Sequence, residues 1–183
     1  MLEVPQSLQE AVDRDIARPV ALITGSGAAR VGRSVARTLA ERGFRLVLHA
    51  NSSLDAAERT AREYARQGVE AIALAADLRD EAAVTQMIDR ALSHFGQIDA
   101  LVNCAAVWKR KALEEVSAAD VREHFEVNAL GTFLCCQRVG LVMVAQPTGG
   151  AIVNVGDWAI ARPYLDYAAY FPSKGAIPTL TRN

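Results

Sequence analysis

The sequence predicts an α/β chain built on a doubly wound parallel sheet, strand order 3-2-1-4-5. Three observations carry that expectation. Short, continuously apolar runs alternate with amphipathic stretches of helical period along residues 19–183. A glycine-rich turn follows the first apolar run and opens the first helix. Polar residues suited to chemistry, among them Asp77, Asn103 and Asp157, fall at or just past the predicted strand ends, where open parallel sheets hold their ligands.

Residues 1–18 read as an appendage, with Ser7 capping a short helix to about Ala17 and Pro19 ending it. "VALITG" (20–25) is the first strand. "VGRSVARTLAERG" is a helix with Val31, Val35 and Leu39 on one face and Gly43 at its end. "FRLVLHA" (44–50) is the second strand, and a helix capped by Ser53 and closed by Gly68 follows. "VEAIALAAD" (69–77) is the third strand, residues 80–96 the third helix and "IDALVN" (98–103) the fourth strand. A loop bearing Trp108 leads to Ser117, the expected cap of a long helix to about Ala145. "GAIVNVG" (150–156) is the fifth strand, and a last helix carries Tyr170 and Lys174 toward Asn183. Strands buried on both faces and joined by helices imply parallel, right-handed connections.

With 183 residues, a net charge of −1 and a pI near 6.3, the chain suits one domain with no nucleic-acid face. The run Lys109-Arg110-Lys111 reads as a solvated loop. Cys104, Cys135 and Cys136 lack framework or ligand spacing, and His49, His94 and His124 are scattered, so neither disulfide nor metal is expected. No signal pattern and no apolar run of membrane-spanning length is evident, which makes the cytoplasm the expected location.

In "TGSGAARVGRS", Gly25 and Gly27 permit a tight turn and close backbone approach, and Gly32 lets the helix pack near the strand. A helix N-terminus at this point offers unpaired N–H groups and a positive dipole end to a pyrophosphate. The second strand ends in "LHANSS", without the acidic residue that usually binds an NAD ribose. Arg30 faces a 2′-phosphate instead, with Asn51, Ser52 and Ser53 as hydrogen-bond donors, so NADP(H) is the expected cofactor.

These segments together resemble the short-chain dehydrogenase/reductase family, a Rossmann-like fold. The glycine loop, "ADL" (76–78), "VNCAA" (102–106), "VNALGTF" (127–133) and "YFPSK" (170–174) match its motifs in order. The glycine loop is one residue longer than the family's. The resemblance implies cofactor contacts from Gly25, Arg30, Val31, Gly32, His49, Asn51, Ser52, Ser53, Asp77, Leu78, Asn103, Ala105, Tyr170 and Lys174. It also implies that Asn128 binds a water linking Lys174 to solvent, and that the long helix and the Tyr–Lys helix pack subunits into a homodimer or homotetramer. The resemblance further implies that the family's sixth and seventh strands and its substrate-covering loop are absent from residues 1–183, which would leave strand five as an uncovered edge.

Within the family the sequence looks most like the pteridine and dihydromonapterin reductases. "AARVGRS" is similar to their loop, with Arg30 touching both phosphate and pterin. Trp108 falls where they stack an aromatic on the pterin, and Asp157 where they carry Asp and most relatives carry Ser. Cys104, the short "NSS" and Pro172 depart from their pattern.

Tyrosine ionises near ~10 and needs help to act as an acid at neutral pH. A Lys174 ammonium one helical turn away, with an oxidised nicotinamide, is expected to lower that value by about 1–3. Asp157 is the informative residue. A ketone oxygen gains negative charge as it is reduced and wants a donor, whereas a carboxylate only accepts. Asp157 therefore suits a substrate presenting N–H groups, such as a pterin-like heterocycle reduced at C=N by Tyr170, Lys174, Asp157 and Asn128. A simple turn cap is the plain alternative for Asp157, and Trp158 beside it is a further candidate lining. A generic carbonyl reductase acting on 3-oxoacyl thioesters and a nucleotide-binding fragment without catalysis are the alternative functions.

Overall fold

A computed structural model describes residues 18–182. The expected appendage helix within residues 1–17 lies outside the described residues. Five parallel strands run in the order β3-β2-β1-β4-β5: β1 (Val20–Thr24), β2 (Arg45–Ala50), β3 (Ala71–Ala75), β4 (Ala100–Asn103) and β5 (Ala151–Asn154). Between them lie α1 (Val31–Glu41), α2 (Leu54–Arg66), α3 (Glu81–Phe95), α4 (Ala118–Phe125) and α5 (Gly131–Ala145). After β5 come α6 (Tyr170–Gly175) and α7 (Ile177–Arg182). The predicted order is the observed one.

β1, β2 and β4 are covered on both faces, as their uninterrupted apolar runs require, whereas the edge strand β5 leaves Ala151 and Val153 exposed. Val20, Leu22, Val47 and Leu101 face one layer, filled by Met87, Ile88 and Phe95 of α3 and Leu134, Val139 and Met143 of α5. Ala21, Ile23, Leu46 and Leu48 face the other, against Ala36 of α1 and Ala57, Ala61 and Tyr64 of α2. Each fully buried aliphatic side chain, such as Ile88, contributes about 1.5–3 kcal/mol. The reversal point lies between β1 and β4, and both strands end there at Thr24 and Asn103.

Local chemistry explains the boundaries. Asp80 caps α3 by accepting from the backbone N–H groups of Ala82 and Ala83. Ser117 and Asp120 form the reciprocal capping box at the start of α4. Gly43, Gly68 and Gly96 close their helices in the left-handed region. Ser53 precedes α2 as expected but makes no side-chain cap. The long helix is interrupted by one π-helical turn, Glu126–Leu130, invisible to an apolar-period argument. The last helix is two helices rather than one. Pro172 sits in the first turn of α6, where no N–H is missed, but Pro178 cannot donate to the Lys174 carbonyl, and the ladder breaks near Ala176. β3 is shorter than predicted.

Two other expectations are corrected. The continuous helical stretch Ala118–Ala145 is long and apolar enough to cross a membrane, with a window hydropathy of 1.5. Its buried residues, including Leu134, Val139 and Met143, serve the core of the sheet. The Lys109-Arg110-Lys111 run is not merely solvated: Lys109 pairs with Glu123, Arg110 with Asp166 and Lys111 with Asp120.

Candidate active site

The carboxyl ends of the strands open into a groove of about 980 Å³. It runs from the glycine loop and the end of β2 to Asp157, Tyr170 and Lys174. At one end Gly25 has φ +67, and a Cβ there would lie 2.7 Å from the Ala105 Cα. A Cβ on Gly32 would lie 2.7 Å from the Gly25 carbonyl oxygen, so α1 approaches β1 as closely as backbone allows. Arg30 precedes α1 without a side-chain cap and the first turn carries no acid; the Arg33 and Ser34 N–H groups donate to the Arg30 carbonyl, which leaves those of Val31 and Gly32 to an anion. Arg33 donates to the Gly27 carbonyl at 2.9 Å and braces the loop. The residues present therefore fit a dinucleotide's pyrophosphate.

Arg30, Val31, Asn51, Ser52 and Ser53 line the same end of the groove, with Asp77, Leu78 and Ala105. The carboxylate of Asp77 is engaged by Arg79, whose Nε and Nη2 donate to it at 3.0 and 2.6 Å. That side-chain bond holds the Asp77 pKa below the usual carboxylate range.

His49 lines the groove, but both ring nitrogens are used within the fold. The Gly25 N–H donates to Nδ1 at 3.0 Å, so Nε2 carries the proton and donates to the Ala76 carbonyl at 3.0 Å. Burial lowers its pKa and favours this neutral tautomer. His49 thus ties the glycine loop to the end of β3. Asn103 does not line the groove. It is buried, and its Nδ2 donates to Asn154 Oδ1 at 2.9 Å across the β4–β5 pair. Thr24, which sequence reasoning passed over, accepts from the Cys104 and Ala105 N–H groups at 3.0 and 3.1 Å and fixes the β4 loop to β1.

At the other end, Asp157 follows β5. Its Oδ1 accepts from the Ala159 N–H at 2.8 Å, capping the short 3₁₀ turn Trp158–Ala161. Its Oδ2 accepts from the Tyr170 hydroxyl at 2.8 Å. One side chain therefore both caps the turn and accepts the Tyr170 hydroxyl hydrogen. Trp158 next to it is 80% exposed and does not line the groove.

Tyr170 and Lys174 are both buried. Burial, and then the hydrogen bond and charge of Asp157, push the Tyr170 pKa well above the ordinary tyrosine value. This reverses the expected lowering. Next to an accepting carboxylate the phenol is held protonated. Lys174 donates from Nζ to the Val155 carbonyl at 2.7 Å, and burial lowers its pKa while Asp157 opposes the shift. Cys104 lines the groove near Lys174, with its thiol pushed up to about 11 by burial.

Asn128, in the π-helical turn, does not reach Lys174 with its side chain. Oδ1 accepts from the Val107 N–H at 2.8 Å, and Nδ2 donates to the Val107 carbonyl at 3.0 Å and to Ser173 Oγ at 2.9 Å. The amide is a strut between the neighbour of Trp108 and the neighbour of Lys174. Trp108 is 53% exposed at the groove wall, with one ring face stacked on Tyr167.

Comparison with known proteins agrees with this geometry. Residues 19–183 match the family described as short chain dehydrogenase. The chain is 34% identical over 171 residues to a short-chain type dehydrogenase/reductase of Picea abies, covering 89% of this chain and 62% of that protein. It is 34% identical over 164 residues to a probable tetrahydroxynaphthalene reductase of Zymoseptoria tritici, covering 89% and 60%. A 3-oxoacyl-[acyl-carrier-protein] reductase of Staphylococcus epidermidis is 33% identical over 162 residues, covering 88% and 66%. The chain thus spans about three fifths to two thirds of the length of these relatives. Among solved structures, an alcohol dehydrogenase from Thermococcus sibiricus complexed with 5-hydroxy-NADP superposes with a TM-score of 0.82 at 32% identity, covering 90% of this chain and 68% of that one. A short chain dehydrogenase/reductase from Burkholderia phymatum in complex with NAD gives 0.84 at 32%, covering 90% and 58%.

Proposed function

Because the chain belongs to the short-chain dehydrogenase family, we propose that it is an oxidoreductase using NADPH to reduce a C=N bond in a pterin-like nitrogen heterocycle. The observation that carries the substrate class is the 2.8 Å hydrogen bond from the Tyr170 hydroxyl to the Asp157 carboxylate. The proton donor is paired with an acceptor where a carbonyl reductase would need a second donor.

The glycine loop and the start of α1 would hold the pyrophosphate, and Arg30, Ser52 and Ser53, which line the groove, would meet the 2′-phosphate. The bound cofactor supplies the hydride. Asp157 accepts an N–H from the amino-pyrimidine edge of the ring, which releases the Tyr170 hydrogen from its resting partner. Tyr170 then donates that proton to the ring nitrogen of the C=N bond while its carbon takes the hydride. Lys174, whose Nζ is anchored on the Val155 carbonyl in the same groove, stabilises the phenolate left behind. Trp108 offers a flat apolar wall to the ring. The cytoplasm remains the proposed location, and a homo-oligomer the proposed assembly.

A second reading rests on the relatives named as 3-oxoacyl and naphthalenol reductases: a ketone substrate, with Asp157 serving only as a turn cap. NADPH consumption separates the two. The chain is expected to consume NADPH with dihydrobiopterin or dihydromonapterin, and far more slowly with an acetoacetyl thioester. The opposite pattern replaces the first reading by the second.

A further inference from the structure

Two loops far apart in sequence are fastened together beside the site. Arg110 donates from Nε and Nη2 to the Asp166 carboxylate at 3.0 and 2.7 Å. The Lys111 N–H donates to the Asp166 carbonyl at 2.8 Å. Lys109 and Lys111 anchor the same loop to Glu123 and Asp120 in α4. Asp166 has φ +68, the one positive φ outside glycine among the described residues. Exposed ion pairs of this kind add little stability, so the strain at Asp166 points to what the clasp holds in place.

What it holds is an aromatic row. Tyr167 stacks on Trp108 with ring centroids 5.3 Å apart and planes 12° from parallel. Tyr164 meets Tyr167 edge-on at 5.3 Å, and Tyr167 in turn meets the Tyr170 ring edge-on at 6.4 Å. The Tyr167 carbonyl accepts from the Tyr170 and Phe171 N–H groups at 3.0 and 3.2 Å, and so begins the helix that carries the proton donor. Trp108 borders the groove and Tyr167 does not, so Tyr167 stands behind the indole.

We propose that Tyr167 is a positioning residue: fastened by the Arg110–Asp166 clasp, it backs the Trp108 indole and fixes the wall against which a flat substrate ring lies, in register with Tyr170. The inference rests on the reading of the groove as a site for a flat nitrogen heterocycle. An indole on an unfastened loop would have to be ordered by each arriving substrate. One already stacked from behind is ordered before binding, which lowers KM without touching the proton transfer.

Trp108 and Trp158 are the only tryptophans, so a Trp158→Phe background makes Trp108 the sole indole. In that background Tyr167→Leu is expected to raise acrylamide quenching of Trp108 about twofold, through loss of the covering ring, and Tyr167→Phe to leave it at the parent value. Arg110→Ala is expected to move it in the same direction as Tyr167→Leu without altering any ring. Tyr167→Leu should also raise KM for a dihydropterin about fivefold with kcat within about twofold, and Tyr167→Phe should restore KM. Unchanged quenching in both Tyr167→Leu and Arg110→Ala overturns the proposal, as does a Tyr167→Leu loss confined to kcat. If no dihydropterin is turned over, the proposed substrate falls, and the quenching series still decides the role of Tyr167.

Discussion

Tyr170→Phe is expected to lower kcat by about 10²–10⁴, the range that a positioned proton donor contributes. The substitution keeps the ring and its edge contacts with His124, Tyr167 and Phe171, so the helix and its neighbours stay in place. NADPH binding, read by fluorescence enhancement, should persist. Turnover within tenfold of the parent would remove Tyr170 from the chemistry. The pH profile carries a second sign. Burial and Asp157 both raise the Tyr170 pKa, so the donor stays protonated above the ordinary tyrosine value and the alkaline limb of kcat lies correspondingly high. Asp157→Ser removes an accepting hydrogen bond and a negative charge, and the limb should move to lower pH.

Gly25→Ala is expected to damage both fold and groove. The new Cβ would sit 2.7 Å from the Ala105 Cα and 2.9 Å from the Ala105 N, in a backbone held at φ +67. Left-handed strain of about 1–2 kcal/mol and overpacking of about 1–3 kcal/mol add to about 2–5 kcal/mol. For a chain of this size that is a Tm lower by about 5–15 °C. The glycine loop would also lose its approach to the pyrophosphate. A loss of one charge-assisted hydrogen bond weakens NADPH on the order of 10- to 100-fold. Gly43→Ala is the control. Gly43 has φ +85 with nothing within 4 Å of its would-be Cβ and lies away from the groove. It should lower Tm modestly and leave NADPH affinity alone. Equal loss of affinity in both would mean that Gly25 acts only through stability.

The sheet order was legible because every element carries a periodic signal of its own, and parallel connections leave few topologies. The pairing of Asp157 with Tyr170 was legible through the family resemblance, whose motif spacing carries both residues to one site. The supporting contacts were not. Thr24 reaches the β4 loop, His49 bridges the glycine loop and Ala76, and Asn128 spans Val107 and Ser173. Each joins segments whose proximity exists only after the sheet has formed. The same reason hid Tyr167, a residue with no motif around it, and the acid partners of Lys109, Arg110 and Lys111. The raised Tyr170 pKa was not legible because burial, its largest cause, exists only in the folded chain, whereas Lys174 stands one turn away in the sequence. The π-helical turn at Asn128 has no periodic signature within a run that is apolar on most sides.

The substrate class turns on whether the carboxylate of Asp157 serves an incoming N–H. The direct measurement is kcat/KM of parent and Asp157→Ser on a dihydropterin and on an acetoacetyl thioester, with NADPH affinity checked in both proteins. The account predicts that the serine variant loses tenfold or more on the dihydropterin, about the value of one hydrogen bond to a charged group, while the thioester holds or improves. Retained dihydropterin activity, or an equal fall on both substrates, would contradict it.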